Sequence, residues 1–192
     1  VTISEPSVLA GIKSFTNVLC YNGNSGVASG LMSGGSPGYN YLWSDSGTTS
    51  SVSALSANTY SVTVSDDSGC LFLDSVVISE PISAIINSFT VSDVLCFAES
   101  SGTLSVFSSG GSPAYSYAWS NTTADTSLIN GIPAGTYMLT TTDNNACTKY
   151  DTVQITEPAA LTGNFSVTDA PCEDSLAGEI SILPSGGTSG FN

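Results

Sequence analysis

The chain has 192 residues with two Lys+Arg against sixteen Asp+Glu and no histidine, a formal charge of −14 at pH 7. No basic surface exists to neutralise phosphate, so nucleic acid and anionic membrane are excluded as direct partners, and without histidine neither Ser-His-Asp nor Cys-His catalysis nor a His-bearing zinc site is available. No apolar run approaches the length of a membrane span, and the Ser/Thr/Gly/Asn-rich, Lys-poor make-up suits a protein outside the cell.

In chain order, Ile3-Ser4-Glu5-Pro6 comes first and is followed by a segment reaching Cys20. Gly34-Gly35 then turns the chain into Tyr39-x-Tyr41-x-Trp43, whose period of two puts three aromatics on one sheet face. A polar loop leads to Leu55-Ser56-Ala57-Asn58-Thr59-Tyr60, and Tyr60-Ser61-Val62-Thr63-Val64 alternates as a half-buried strand does. Asp66-Asp67-Ser68-Gly69 is a turn sequence, after which Cys70 opens a last strand ending at Val76-Val77-Ile78. Ser79-Glu80-Pro81 closes the unit, its proline predicting a short stiff joint.

The same phrases then return. Cys20, Cys96 and Cys172 are 76 apart (96−20, 172−96), as are Gly34-Gly35, Gly110-Gly111 and Gly186-Gly187, and Trp43 and Trp119 keep that step. Tyr60 to Tyr137 and Cys70 to Cys147 are 77 apart, so one residue is inserted between tryptophan and tyrosine, where Ser44–Thr59 and Ser120–Thr136 differ in length, and such slack marks a surface loop. Residues 7–81 and 82–158 are two complete repeats, 1–6 the end of a preceding one, and 159–192 the start of a third that stops at the counterpart of Tyr39-Asn40. The expectation is a piece of a longer array, with its real termini and any signal peptide, anchor or export domain outside this sequence.

The second repeat reads most clearly. Thr103-Leu104-Ser105-Val106-Phe107-Ser108 alternates polar and apolar, as Ile180 and Ile182 do in the third copy; Tyr115-x-Tyr117-x-Trp119 is the aromatic strand, and Asp143-Asn144-Asn145-Ala146 precedes Cys147. In Ile132-Pro133-Ala134-Gly135-Thr136-Tyr137, Gly135 stands where the first repeat has Asn58, and both residue types tolerate positive φ, so a left-handed backbone is predicted at the two positions. No stretch carries a sustained helical period. The predicted fold class is all-β: tandem immunoglobulin-like antiparallel β-sandwich repeats of roughly seven short strands, forming an extended array.

Cys96 with Gly102, Gly110-Gly111-Ser112-Pro113-Ala114-Tyr115-Ser116-Tyr117-Ala118-Trp119, Ala134-Gly135-Thr136-Tyr137, Asp143 with Cys147, and Ile155-Thr156-Glu157-Pro158 together resemble the SprB-type repeat. The resemblance covers essentially the whole chain, departing at Asn58 for glycine and at Ser189 after Gly186-Gly187. It implies a repeat of the large secreted surface adhesins of Bacteroidota, among them the gliding-motility adhesin, which are exported by the type IX secretion system.

A repeat of about 75 residues buries a modest core, so a covalent staple is useful, and two cysteines per repeat fit an oxidising compartment. The simplest pairing is Cys20 with Cys70 and Cys96 with Cys147, leaving Cys172 for a partner outside the chain. In immunoglobulin topology, however, Cys20 and Cys70 lie at opposite ends of the sandwich, which makes Cys20–Cys147 between successive repeats the rival. Free-thiol and metal roles are disfavoured, with no Cys-x-x-Cys present.

Asp66, Asp67 and Asp143 occupy the turn before the last strand and Glu5, Glu80 and Glu157 the joints; if turn and joint meet, Asp66, Asp143, Glu80 and Glu157 are candidate calcium ligands, against the alternative that the Asp residues serve turn hydrogen bonds. No other cofactor is expected. Asp74-Ser75-Val76, Asp151-Thr152-Val153 and Asp174-Ser175-Leu176 resemble the Asp-(Ser/Thr)-aliphatic acceptor of Bacteroidota O-glycosylation, with Ser75, Thr152 and Ser175 as acceptors. Asn121 and Asn164 head N-glycan acceptor patterns. The aromatic ladder is read as core packing in preference to a sugar platform. Lys13 and Lys149 are not equivalent positions, which argues against an isopeptide crosslink. The Gly-Gly turns lack the lysine and helix of a phosphate loop, and acids in turns and joints lack the cleft of a glycosidase pair.

The functional expectation is a non-enzymatic structural and adhesive repeat segment of a secreted bacterial cell-surface protein, an adhesin stalk or filament. Its partners are neighbouring repeats, surface polysaccharide or like filaments. A glycan-binding module and the stalk of a secreted enzyme are the alternatives.

Overall fold

The computed structural model describes residues 5–171 and 178–188, and these contain fourteen strands and no helix. Two compact units are formed, one from Val1–Ile86, Ser109–Ala114 and Asp143–Cys147, the other from Asn87–Ser108, Tyr115–Thr142 and Thr148–Asn192.

In the first unit lie β1 (Ala10–Thr16), β2 (Gly26–Ser33), β3 (Asn40–Trp43), β4 (Ser51–Leu55), β5 (Asn58–Ser65) and β6 (Leu71–Ile78). They form two three-stranded antiparallel sheets, ordered β1-β2-β4 and β3-β5-β6. Alternation decides which side chains face inward: Ala28 and Met32 from one sheet meet Trp43, Val62, Val64, Val76 and Ile78 from the other in a single buried cluster. Trp43 is buried and its indole N–H donates to Thr49 O at 2.9 Å, so its polar handle is satisfied inside the fold.

The second unit repeats the plan with β7 (Ile86–Ser92), β8 (Gly102–Ser109), β9 (Ser116–Trp119), β10 (Leu128–Ile132), β11 (Gly135–Thr142) and β12 (Thr148–Ile155), in sheets β10-β8-β7 and β12-β11-β9. Leu104, Val106, Trp119, Ile129, Tyr137, Leu139 and Ile155 form its core. β13 (Thr162–Thr168) and β14 (Glu179–Ser185) make a two-stranded antiparallel sheet in which Phe165 faces Ile182.

Each repeat thus has six strands where roughly seven were expected. The segment between β3 and β4 carries no apolar alternation and closes on itself: Gly47 N donates to the Asp45 carboxylate at 3.0 Å, and Trp43 N to Gly47 O at 2.8 Å. Strands β3 and β9 start 76 apart (116−40) and β4 and β10 start 77 apart (128−51), so the inserted residue falls in this loop, between Trp119 and Leu128.

The left-handed backbone predicted at Asn58 and Gly135 is not there. Asn58 is not among the residues with positive φ, and Gly135, at φ 159°, is nearly extended. Both open strands, pairing with Ile78 and Ile155, and a ladder demands extended backbone. Left-handed backbone is found a few residues earlier, at Ala54 (φ 59°) and Gly131 (φ 65°), each at the point where the β2–β4 or β8–β10 ladder shifts register by a bulge.

Candidate functional site

Asp143 organises the turn between β11 and β12. Its buried carboxylate accepts the N–H groups of Ser112, Asn145 and Cys147, each at 2.9 Å. Asp66 does the same in the first repeat with Ser36, Ser68 and Cys70 at 2.9, 3.0 and 2.8 Å. These amides, that of Ser36 foremost and then that of Cys70, hold the Asp66 carboxyl below the usual carboxylate range against the opposing effect of its desolvation. Each Asp also fastens its turn to the Gly-Gly turn between the second and third strands. There Gly111 sits at φ 57°, and a Cβ would fall 2.5 Å from the Asp143 carboxylate, so only glycine admits the approach.

Within the first unit this Asp143 turn meets the segment after β1. Asn145 Nδ2 donates to Leu19 O at 3.0 Å and to Ser112 Oγ at 2.8 Å, and Cys147 is disulfide-bonded to Cys20 with the two Cα atoms 5.7 Å apart. The joint lies alongside: Val18 N donates to Ser79 O at 2.9 Å, Ser79 N to Asn17 Oδ1 at 3.0 Å, and Asn22 N to the Glu80 carboxylate. Gly111 N bonds Ser83 O at 2.9 Å. A shallow cleft is lined by Val18, Glu80, Pro81, Gly111, Ser112 and Asn145.

The pairings Cys20–Cys70 and Cys96–Cys147 are therefore not formed, and Cys70 and Cys96 are exposed thiols. Strand β6 supplies the reason. Cys20 lies by Ser79 and Glu80, past the end of β6, whereas Cys70 precedes its first residue. Eight extended residues place roughly 26 Å between those ends, against the 4.4–6.8 Å or so that a disulfide spans.

Two stretches of the chain, residues 12–48 and 88–124, match one family model. That model is the SprB repeat. The two matches are 76 residues apart (88−12) and each runs from the first strand through the Gly-Gly turn and the aromatic strand into the following loop. The resemblance read from the residues holds at both places. SprB repeats are found in cell-surface proteins, and a repeat segment of such a protein is what the matches support. No curated protein matches the chain.

The remaining candidates fall as follows. Glu80 caps the Asn22 amide and Glu157 the Ala98 amide, the latter at 2.7 Å, while Asp66 and Asp143 are engaged by three amides each. Among the described residues, no three or more acidic or cysteine side chains group so as to hold a metal ion. Ser75 and Thr152 are exposed on β6 and β12, outer strands of their sheets. Ser75 follows Asp74, whose carboxylate accepts Lys13 Nζ at 2.9 Å and is held below the usual range, chiefly by that bond. Ser175 and Cys172 lie outside the described residues. Tyr39 and Tyr41 are half-buried and pack on the core with Trp43, which is the packing reading of the ladder. The residues not foreseen are Asn17, Leu19, Asn22 and Asn145. Their signal was positional: Asn17 stands 76 before Asp93 (93−17), and Asp93 likewise accepts a joint amide, Thr156 N, at 2.7 Å.

Proposed function

We propose that the chain is a structural and adhesive repeat segment of a large secreted surface protein, a stalk or filament in which the residues fold and space the repeats and perform no chemistry. The observation that carries this reading is the Cys20–Cys147 bond. A bond inside one repeat stiffens only that repeat, whereas this one closes a loop of 127 residues that contains the joint Ser79-Glu80-Pro81. Tension applied outside the loop then passes through the disulfide and bypasses the joint. On this reading the acidic side chains serve turns and joints, the partners are neighbouring repeats and surface polysaccharide or like filaments, and export follows the type IX route of gliding-type adhesins.

A glycan-binding role for each repeat is the competing reading, and the shallow surface lined by Asn121, Thr122, Asn130 and Pro133 is where it belongs. Antibodies against the chain should label intact producing cells, and the variants Asp45→Ala and Asn121→Ala should retain whatever polysaccharide binding the parent chain has. Labelling seen only after permeabilisation contradicts the surface role. Loss of binding in either variant transfers the function to the glycan site.

A further inference from the structure

Cys96 has the surroundings of Cys20 without a bonded partner. The carbonyl of Cys20 accepts Gly23 N at 2.9 Å and that of Cys96 accepts Glu99 N at 3.3 Å. Leu19 N donates to Ser25 Oγ at 2.9 Å and Leu95 N to Ser101 Oγ at 3.0 Å, while joint glutamates Glu80 and Glu157 accept Asn22 N and Ala98 N. Even the next Gly-Gly turn is in place: Gly187 N bonds Ala159 O at 2.7 Å as Gly111 N bonds Ser83 O. A cleft lined by Cys96, Phe97, Pro158, Ala159, Gly187 and Thr188 in the second unit corresponds to the one beside Cys20, which Asn145 also lines. Cys70 is the converse half. It is exposed, and its amide bonds Asp66 at 2.8 Å as the Cys147 amide bonds Asp143 at 2.9 Å.

We propose that Cys20–Cys147 is one rung of a ladder in which the first cysteine of each repeat bonds to the second cysteine of the next. Cys96 receives the Asp-x-x-x-Cys turn of a following repeat, and Cys70 receives the first cysteine of a preceding one. The bond forms by exchange with a disulfide donor. One cysteine thiolate attacks the donor to give a mixed disulfide, the second displaces the donor's other thiol, and two protein thiols plus one donor disulfide yield one protein disulfide plus two donor thiols carrying the two protons.

The test continues the full chain past Asn192 with a second copy of residues 117–158, which completes the third repeat and supplies its second cysteine. That copy carries K149R so that its cysteine peptide has its own mass, and the protein is folded in reduced and oxidised glutathione, alkylated and digested without reduction. The ladder predicts Cys96 joined to the added cysteine and Cys20 joined to Cys147. Alkylation of Cys96, complete in the 192-residue chain, is lost in the extended one. Cys96 still alkylated beside an intact Cys20–Cys147 overturns the ladder alone, and Cys20 joined to Cys70 overturns the rung on which it rests.

Discussion

Three positions that are left-handed in both repeats carry different residues in each. Ala54, Ala98 and Ala146 lie at φ 59°, 60° and 63°, while their counterparts Gly131, Asn22 and Gly69 lie at 65°, 56° and 83°. An alanine there is strained by about 1–2 kcal/mol, partly offset because glycine has more unfolded freedom to lose. Ala54→Gly should therefore raise stability by about 0.5–1 kcal/mol and Gly131→Ala lower it by a similar amount, read as shifts in the urea midpoint; a destabilised Ala54→Gly contradicts the backbone assigned to the bulge. Residue type located these positions poorly. Asn58 and Gly135 carry the right chemistry for positive φ but sit where the β5–β6 and β11–β12 ladders begin, and Ala54 carries no signal at all. Asn87 was equally silent. It stands where the first repeat has Gly11, and it links Ser108, Thr141 and Asp151 in a polar cluster at 2.6, 3.0 and 2.7 Å. Only tertiary packing brings that half-buried Asn to its partners.

At the scale of elements, strands were legible because sandwich faces impose a period of two: β5 and β11 bury alternate residues through Tyr60-Val62-Val64 and Tyr137-Leu139-Thr141. The turns were legible by composition, and of the two roles open to Asp66, cation ligand and turn acceptor, which look alike in sequence, the turn hydrogen bonds are the ones formed. Its depressed pKa has a definite consequence. A carboxylate whose folded pKa lies below its unfolded value of about 3.9 contributes stability that is present above that value and lost as the pH falls through the folded pKa. Acid also relieves the mutual repulsion of a chain with net charge −14, which acts in the opposite sense on the whole protein. The comparison with Asp66→Asn isolates the turn: between pH 5 and pH 3 the parent should lose more of its urea midpoint than the variant. Equal losses would show that the three amides do not hold the carboxylate charged.

For the whole molecule, cysteine number could not fix the pairing, because two per repeat fits closure within repeats and closure between them equally. Topology decides it, through the length of β6 and the meeting of Leu19 with Asn145. A closed loop with a sequence separation of 127 removes unfolded-chain entropy equivalent to about 5 kcal/mol, so the strap contributes stability beside the load path proposed for it. Its mechanical signature is length. Pulled by its termini, the oxidised chain hides the segment from Cys20 to Cys147, a sequence separation of 127 at about 3.5 Å per residue, so reduction should add about 440 Å of contour length. The central claim predicts that gain as a single increment from a single bond. Two separate gains of about 175 Å each, the signature of Cys20–Cys70 and Cys96–Cys147, or no gain on reduction, would contradict it.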